Sequence, residues 1–175
     1  MPFAARFTLV AALSALAWPV HAADLPTLLG ASRDWTAYQA DTGDGKVCYA
    51  VSTPTGSVPK RARDPIFVIV STWPGRNPPA IDEFEVIPGY EYKDGAPASA
   101  QAGAVTADLF TQNDKAAGAA WVKDQTAEAA LVKAMRGGAT LVVTGVSKKG
   151  TKLTDTYSLA GLGTALDRAH SACGK

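Results

Sequence analysis

The chain has 175 residues, with 17 basic and 16 acidic side chains and a formal net charge of +1. This length suits one folded domain, and the balanced charge excludes a long-range field that would attract nucleic acid or an anionic membrane. Beyond the N-terminal segment, no apolar run approaches the length that spans a bilayer, so the mature chain is not expected to be membrane-spanning.

The first 22 residues have the organisation of a cleavable secretory signal. Arg6 supplies a positive charge, a run of about a dozen apolar residues follows, and Val20-His21-Ala22 leads to the cleavage point. The run is too short to cross a membrane as a stable helix. We therefore predict a signal peptide over residues 1–22 and a single mature domain over residues 23–175. The alternative is a buried first helix.

From residue 32 to residue 122 the sequence reads as short strands separated by Gly, Pro and Asp. Prolines and glycines predict loops over residues 54–63 and 74–79, because neither segment can continue a sheet ladder. Such spacing predicts a β-sandwich. The strand segments are residues 34–39, 46–51, 66–71, 84–87, 90–92, 104–112 and 119–122.

Helical periodicity then predicts an internal helix that begins near Asp124 or Thr126 and ends at Gly137-Gly138. Its predicted apolar face consists of Ala127, Ala130, Leu131, Ala134 and Met135.

Two further strands, over residues 139–146 and 152–159, form a predicted hairpin with Asp155 among the apolar positions of the second strand. A C-terminal helix follows. Its predicted apolar face consists of Leu162, Ala165, Leu166, Ala169 and Cys173.

Two cysteines remain in the mature chain, Cys48 on a predicted strand and Cys173 on the apolar face of the last helix. In an oxidising compartment an isolated pair of this kind predicts a disulfide bond. The alternative is two unpaired buried thiols.

Several segments together resemble the invasion-associated locus B (IalB) family of exported bacterial proteins. They occur in order over the mature chain. They are Trp35 with residues 46–49, residues 89–92, Leu109-Phe110, Trp121, residues 131–138, 145–151 and 155–161, and Cys173.

This resemblance implies an immunoglobulin-like β-sandwich that is exported beyond the cytoplasm, and the predicted signal peptide indicates a periplasmic or secreted location. In pathogens it implies an association with host-cell invasion. It implies no established reaction. A second disulfide is not carried over, because residues 36–39 lack the additional cysteine of some relatives.

The side chains that carry chemistry are few. His170 is the only histidine after the signal, and it lacks the further ligands that a zinc site requires.

Asp155 on an apolar strand face needs a hydrogen bond, and we interpret it as structural, with a buried acid at a site as the alternative. The basic segment at residues 60–63 is interpreted as a solvated loop. The alternative for that loop is contact with phosphate or lipopolysaccharide.

The leading hypothesis is a non-enzymatic envelope protein that binds an unknown protein or envelope component, with no cofactor, no metal and no nucleic-acid partner. Aromatic and arginine side chains dominate interface energetics, so the predicted contacts are Trp73, Arg76, Tyr90 and Tyr92.

The alternative hypothesis is a hydrolytic or carbohydrate-active enzyme that uses Asp155 with Asp82 or Glu83. These carboxylates would have to share a pocket.

Overall fold

A computed structural model describes residues 25–114 and 117–174, so the predicted signal peptide lies outside the described residues. The elements in chain order are β1 Thr27–Ser32, β2 Trp35–Thr42, β3 Gly45–Ser52, β4 Gly56–Val58, β5 Phe67–Trp73, β6 Ala80–Ile87, β7 Ala98–Ala102, β8 Val105–Asn113, β9 Gly118–Val122, α1 Gln125–Gly137, β10 Thr140–Val146, β11 Lys152–Ser158 and α2 Leu162–Ala172.

The strands form one antiparallel sheet in the order β1-β2-β3-β5-β6-β9-β8-β7-β10-β11-β4. Its two halves meet at β6 and β9, where only Glu85 with Trp121 and Val86 with Ala120 are in register. Side chains from both halves bury a common apolar core, which includes Trp35, Val70 and Phe84 from one half and Leu109, Leu141 and Tyr157 from the other. The predicted mainly β sandwich with one internal and one C-terminal helix is confirmed.

The far ends of the sheet are also linked. The indole Nε1 of Trp35 donates a hydrogen bond of 2.9 Å to the carbonyl of Ser158, and the backbone N–H of Asp34 donates to the carbonyl of Ala160. Gly161, with a φ of 95°, permits this close approach, because a Cβ there would lie 1.9 Å from the carbonyl oxygen of Ser32. The start of β2 is therefore held against the chain that leaves β11.

Helix α1 begins as predicted, with the side chain of Asp124 accepting a hydrogen bond of 2.8 Å from the N–H of Ala127. Its predicted face was wrong at one position, since Ala130 is exposed and Val132 is buried with Leu131 and Met135. The helix packs against β6, β7, β8 and β9. The buried face therefore includes the larger Val132 side chain in place of Ala130.

Helix α2 confirms its predicted face, since Leu162, Ala165, Leu166 and Ala169 are all buried. It packs over β1, β2, β3 and β5. This position brings Cys173 to β3, where it forms a disulfide bond with Cys48 across a Cα–Cα distance of 5.9 Å. The predicted disulfide is confirmed, and the alternative of free thiols is not, because no cysteine of the described residues is free.

Other strand assignments need correction. Strands β1 and β7 were not predicted, and the short strand β4 lies inside the predicted loop 54–63. The predicted strand at residues 90–92 is only an isolated bridge between Tyr92 and Ser147. Strand β7 reads Ala-Ser-Ala-Gln-Ala, a composition with low strand propensity, and it forms because β8 and β10 pair with it on both sides.

Candidate functional site

Two of the predicted contact residues, Trp73 and Arg76, lie against each other at the end of β5 and in the turn that follows. The Arg76 guanidinium carbon stands 4.0 Å from the centroid of the Trp73 ring, a cation–π contact. Arg76 also donates from Nη1 to both carboxylate oxygens of Glu83, each at 3.1 Å. Both side chains are half-buried, so the pair is fixed in place while still facing solvent.

A row of outward-facing residues extends from this pair across the sheet. Ile69 is in register with Glu85, Glu85 with Trp121, and Trp121 with Phe110, so all four share one face of neighbouring strands. Their chain neighbours Val70, Phe84, Val86 and Ala120 are fully buried on the opposite face.

Phe110 and Trp121 form the aromatic centre of this row. Their rings stack with centroids 5.3 Å apart, and Phe110 remains 44% exposed. A shallow cleft of about 340 Å³ lies between them and the Arg76–Glu83 pair. We call the surface formed by Trp73, Arg76, Phe110 and Trp121 the aromatic face.

Two carboxylates near the aromatic face have altered acidity. Burial raises the pKa of Glu85, and the neighbouring charge of Glu83 raises it further, while Arg76 lowers it. Burial also raises the pKa of Glu128, which lines the cleft and accepts a hydrogen bond of 2.8 Å from the N–H of Phe84. The face therefore carries partly desolvated acids beside large aromatic rings.

The other two predicted contact residues, Tyr90 and Tyr92, pack edge-on with ring centroids 5.1 Å apart. Tyr90 is half-buried, whereas Tyr92 is only 3% exposed and its backbone is held on both sides by the Asn113 side chain. Burial raises the pKa of both phenols. In this conformation the side chain of Tyr92 is out of reach of a partner, so its predicted role as a contact is not retained.

Asp155 forms a buried ion pair with Arg63, whose guanidinium carbon lies 5.7 Å from the centroid of the Tyr90 ring. The side chains of Arg63 and Asp155 are 5% and 4% exposed. Arg63 donates from both Nη atoms to the carboxylate, and Ser57 adds a hydrogen bond of 2.6 Å from its hydroxyl. The structural interpretation of Asp155 is confirmed, while the prediction of a solvated loop at residues 60–63 was wrong for Arg63.

The structure gives the three acids of the enzyme hypothesis different basic partners. Asp155 is bound to Arg63, Glu83 to Arg76, and Asp82 to His170, whose Nε2 lies 2.7 Å from the carboxylate. Asp155 is also only 3% exposed. A paired-carboxylate mechanism requires two acids that both reach one substrate bond, whereas Asp155 is buried in its ion pair with Arg63.

Across residues 25–114 and 117–174, no group of three or more His, Cys, Asp and Glu side chains is placed to hold a metal ion. Over the same ranges, none of the helices combines the length and apolar character needed to cross a membrane.

Phe110 and Trp121 were not predicted as contact residues. Each stands in a strand with alternating burial, and their stacking depends on the register of β8 with β9. The only signal for them in the sequence is an aromatic residue at a position that the alternation of a predicted strand assigns to solvent.

Comparison with known proteins supports the family resemblance. Residues 101–170 match the family model described as invasion associated locus B (IalB) protein. The fold is similar to the crystal structure of invasion associated protein B from Bartonella henselae, with a TM-score of 0.57 and 16% identity over 87% of this chain and 100% of that chain. No curated protein matches the sequence. The resemblance to the family is confirmed, and the solved structure supports the fold.

Proposed function

We propose that this chain is an exported, non-enzymatic protein of the invasion-associated locus B family that acts by binding a partner through its aromatic face. The observation that carries the proposal is the partly exposed, prearranged set of rings and arginine at Trp73, Arg76, Phe110 and Trp121. Residues of these types supply most of the free energy in protein interfaces.

The contacts around the face favour binding. Arg76 is held by Glu83 and by the Trp73 ring, and Trp73 donates from Nε1 to the Ser71 hydroxyl at 3.0 Å. Side chains that are already ordered lose less conformational entropy when a partner docks. A partner that covers Phe110 would remove exposed apolar area from water, which adds favourable free energy.

Export rests on two features. The predicted signal over residues 1–22 directs the chain out of the cytoplasm, and the Cys48–Cys173 disulfide is typical of an oxidising compartment. We propose the periplasm or the extracellular side as the location, and residues 23–175 as one mature domain. The partner is a protein or another component of the envelope.

A role in host-cell invasion is proposed on a narrower basis. The Bartonella henselae protein is named as invasion associated, and this chain shares its fold. Binding through the aromatic face would explain such a role, because a surface of this kind can bind a second protein without any reaction.

Binding of the purified mature chain to envelope and host-cell membrane fractions tests the proposal. Trp73→Ala and Phe110→Ala should each weaken binding by about 2 kcal/mol, roughly thirtyfold in Kd. Leu28→Ala is the matched control, since Leu28 is an exposed apolar residue on β1, outside the aromatic face. Equal binding by all three variants and the wild type would contradict the proposal.

A further inference from the structure

A second surface, separate from the aromatic face, is a concave site above Tyr90. It is a cleft of about 450 Å³ between the loop at residues 61–63, the segment at residues 89–91 and the turn that joins β10 to β11. Four cationic side chains line it: Arg61, Lys148 and Lys149 at the rim, and Arg63 in the wall. We call it the basic cleft. An adjoining cleft shares Arg61 and Arg63 and adds Lys60.

Much of the positive charge at the rim is not neutralised. Lys148 forms an ion pair with Glu91 at 3.0 Å. In the described part of the chain, neither Arg61 nor Lys149 forms an ion pair, and both are exposed. The sequence is nearly neutral overall, so this concentration of cations is a local feature that acts over about one Debye length, ~8 Å.

The wall of the basic cleft includes a buried guanidinium. Arg63 lines the cleft, and its Nη atoms are bound to Asp155, Ser57 and the carbonyl of Pro88. Its Nε is buried without a hydrogen-bond partner among the described residues. Because this side chain is buried and its Nη atoms are already bound, Arg63 shapes the wall of the cleft, and the exposed cations at the rim are the groups that a ligand can reach.

The walls of the cleft are held by backbone contacts. The N–H of Lys148 donates to the carbonyl of Glu91 at 2.8 Å, and the turn is closed by the N–H of Ser147 to the carbonyl of Thr151 at 2.9 Å. Gly89, with a φ of 69°, lets the loop pack closely, because a Cβ there would lie 2.3 Å from the carbonyl oxygen of Asp64. The backbone that carries the rim cations is therefore held in place before any ligand arrives.

We propose that the basic cleft binds a phosphate group, with Arg61 and Lys149 as its principal contacts. Phosphate carries several strong acceptor oxygens, and arginine and lysine are the side chains that bind it in proteins. The phosphate belongs either to a lipid headgroup at a membrane surface or to a soluble phosphorylated molecule. This inference does not depend on the aromatic face, so either proposal can fail alone.

Two probes separate the sources: inorganic pyrophosphate measured by calorimetry, and phosphatidylglycerol vesicles measured by cosedimentation, with phosphatidylcholine vesicles as the neutral reference. The test variant is Arg61→Glu with Lys149→Glu. The matched control is Lys123→Glu with Lys133→Glu, which makes the same change in net charge at exposed lysines outside the cleft. Thermal unfolding of each variant verifies that it remains folded.

The wild type should bind at least one probe, and the cleft variant should lose about tenfold or more in affinity, because it removes charge-assisted hydrogen bonds to the phosphate. The control variant should remain close to wild type. Binding to pyrophosphate alone assigns a soluble ligand, and binding to phosphatidylglycerol vesicles assigns a headgroup. Absence of wild-type binding to both probes, or equal losses in the two variants, would overturn the proposal.

Discussion

Arg63 and Asp155 form a buried ion pair that ties the loop before β5 to the centre of β11. Both carboxylate oxygens accept hydrogen bonds from the guanidinium, and Ser57 on β4 completes the contact. The pair occupies a position where the alternation of β11 calls for an apolar side chain, between buried Leu153 and Tyr157. It therefore fixes an irregular loop on the sandwich, and the same loop forms a wall of the basic cleft.

Removing one member of this ion pair should lower the free energy of unfolding more than replacing both members with apolar side chains. Asp155→Ala leaves the Arg63 charge buried without its partner, so we expect a loss of about 3–5 kcal/mol in the free energy of unfolding. Arg63→Met combined with Asp155→Leu removes both charges, so its free energy of unfolding should fall less than that of the single variant. Urea unfolding of both proteins measures the difference. A double variant that is less stable than Asp155→Ala would contradict this account of the pair.

The disulfide should contribute strongly to stability because it closes a loop with a sequence separation of 125 residues. Cys48→Ser with Cys173→Ser should lower the free energy of unfolding by about 2–5 kcal/mol. Reduction of the wild type with dithiothreitol should give a similar loss, and it should leave the double variant unaffected. A wild type whose unfolding midpoint does not respond to reductant would contradict this prediction.

The ionised form of Glu85 should destabilise the protein at neutral pH. Burial and the charge of Glu83 raise its pKa, so the folded state disfavours the carboxylate relative to the unfolded chain. This penalty is fully present above the folded pKa and disappears below the unfolded pKa. Glu85→Gln should therefore raise the unfolding temperature at neutral pH, and the gain should shrink as the pH falls into the acid range.

Unfolding temperatures of wild type and Glu85→Gln over a series of pH values test this. Glu91→Gln, which changes a more exposed carboxylate, is the control for the loss of one negative charge. An increase in the unfolding temperature of Glu85→Gln over wild type that becomes larger toward acid pH would contradict this prediction.

Two buried aromatic side chains should respond differently to removal of their polar atoms. Trp35→Phe removes the hydrogen bond to the Ser158 carbonyl and leaves that acceptor unpaired. We therefore expect the free energy of unfolding to fall by about 1–3 kcal/mol, beyond the loss caused by the smaller ring. The Tyr157 hydroxyl has no partner among the described residues, so Tyr157→Phe should leave stability unchanged or raise it. Chemical denaturation of the two variants checks the contrast. A large loss for Tyr157→Phe would show that its hydroxyl is satisfied.

Local patterns were sufficient to predict much of the fold. The apolar stripe of α2 placed Cys173 toward the core, and Cys48 lay on a strand, so the disulfide followed from one helix and one strand. The cap at Asp124 was likewise a local signal. Strand β7 escaped prediction because its alanines have low strand propensity, and only its two neighbours make it a strand.

The candidate sites depended on tertiary register and were predicted less completely. Trp73 and Arg76 are close in sequence, so their pairing was accessible to residue-level reasoning. The stacking of Phe110 on Trp121 and the meeting of Arg63 with Asp155 join segments whose alignment no local pattern specifies. Tyr92 was predicted as a partner contact from its residue type, yet its side chain is buried in the folded domain.

Site-specific photo-crosslinking in intact cells can show whether the aromatic face binds a partner. A photoreactive amino acid replaces Phe110 in one strain and Leu28 in another, and crosslinked products are identified by mass spectrometry. If the aromatic face contacts the partner, a discrete product forms at Phe110, is absent at Leu28 and is lost when Trp73→Ala is added. The same products at both positions, or none at Phe110, would contradict it.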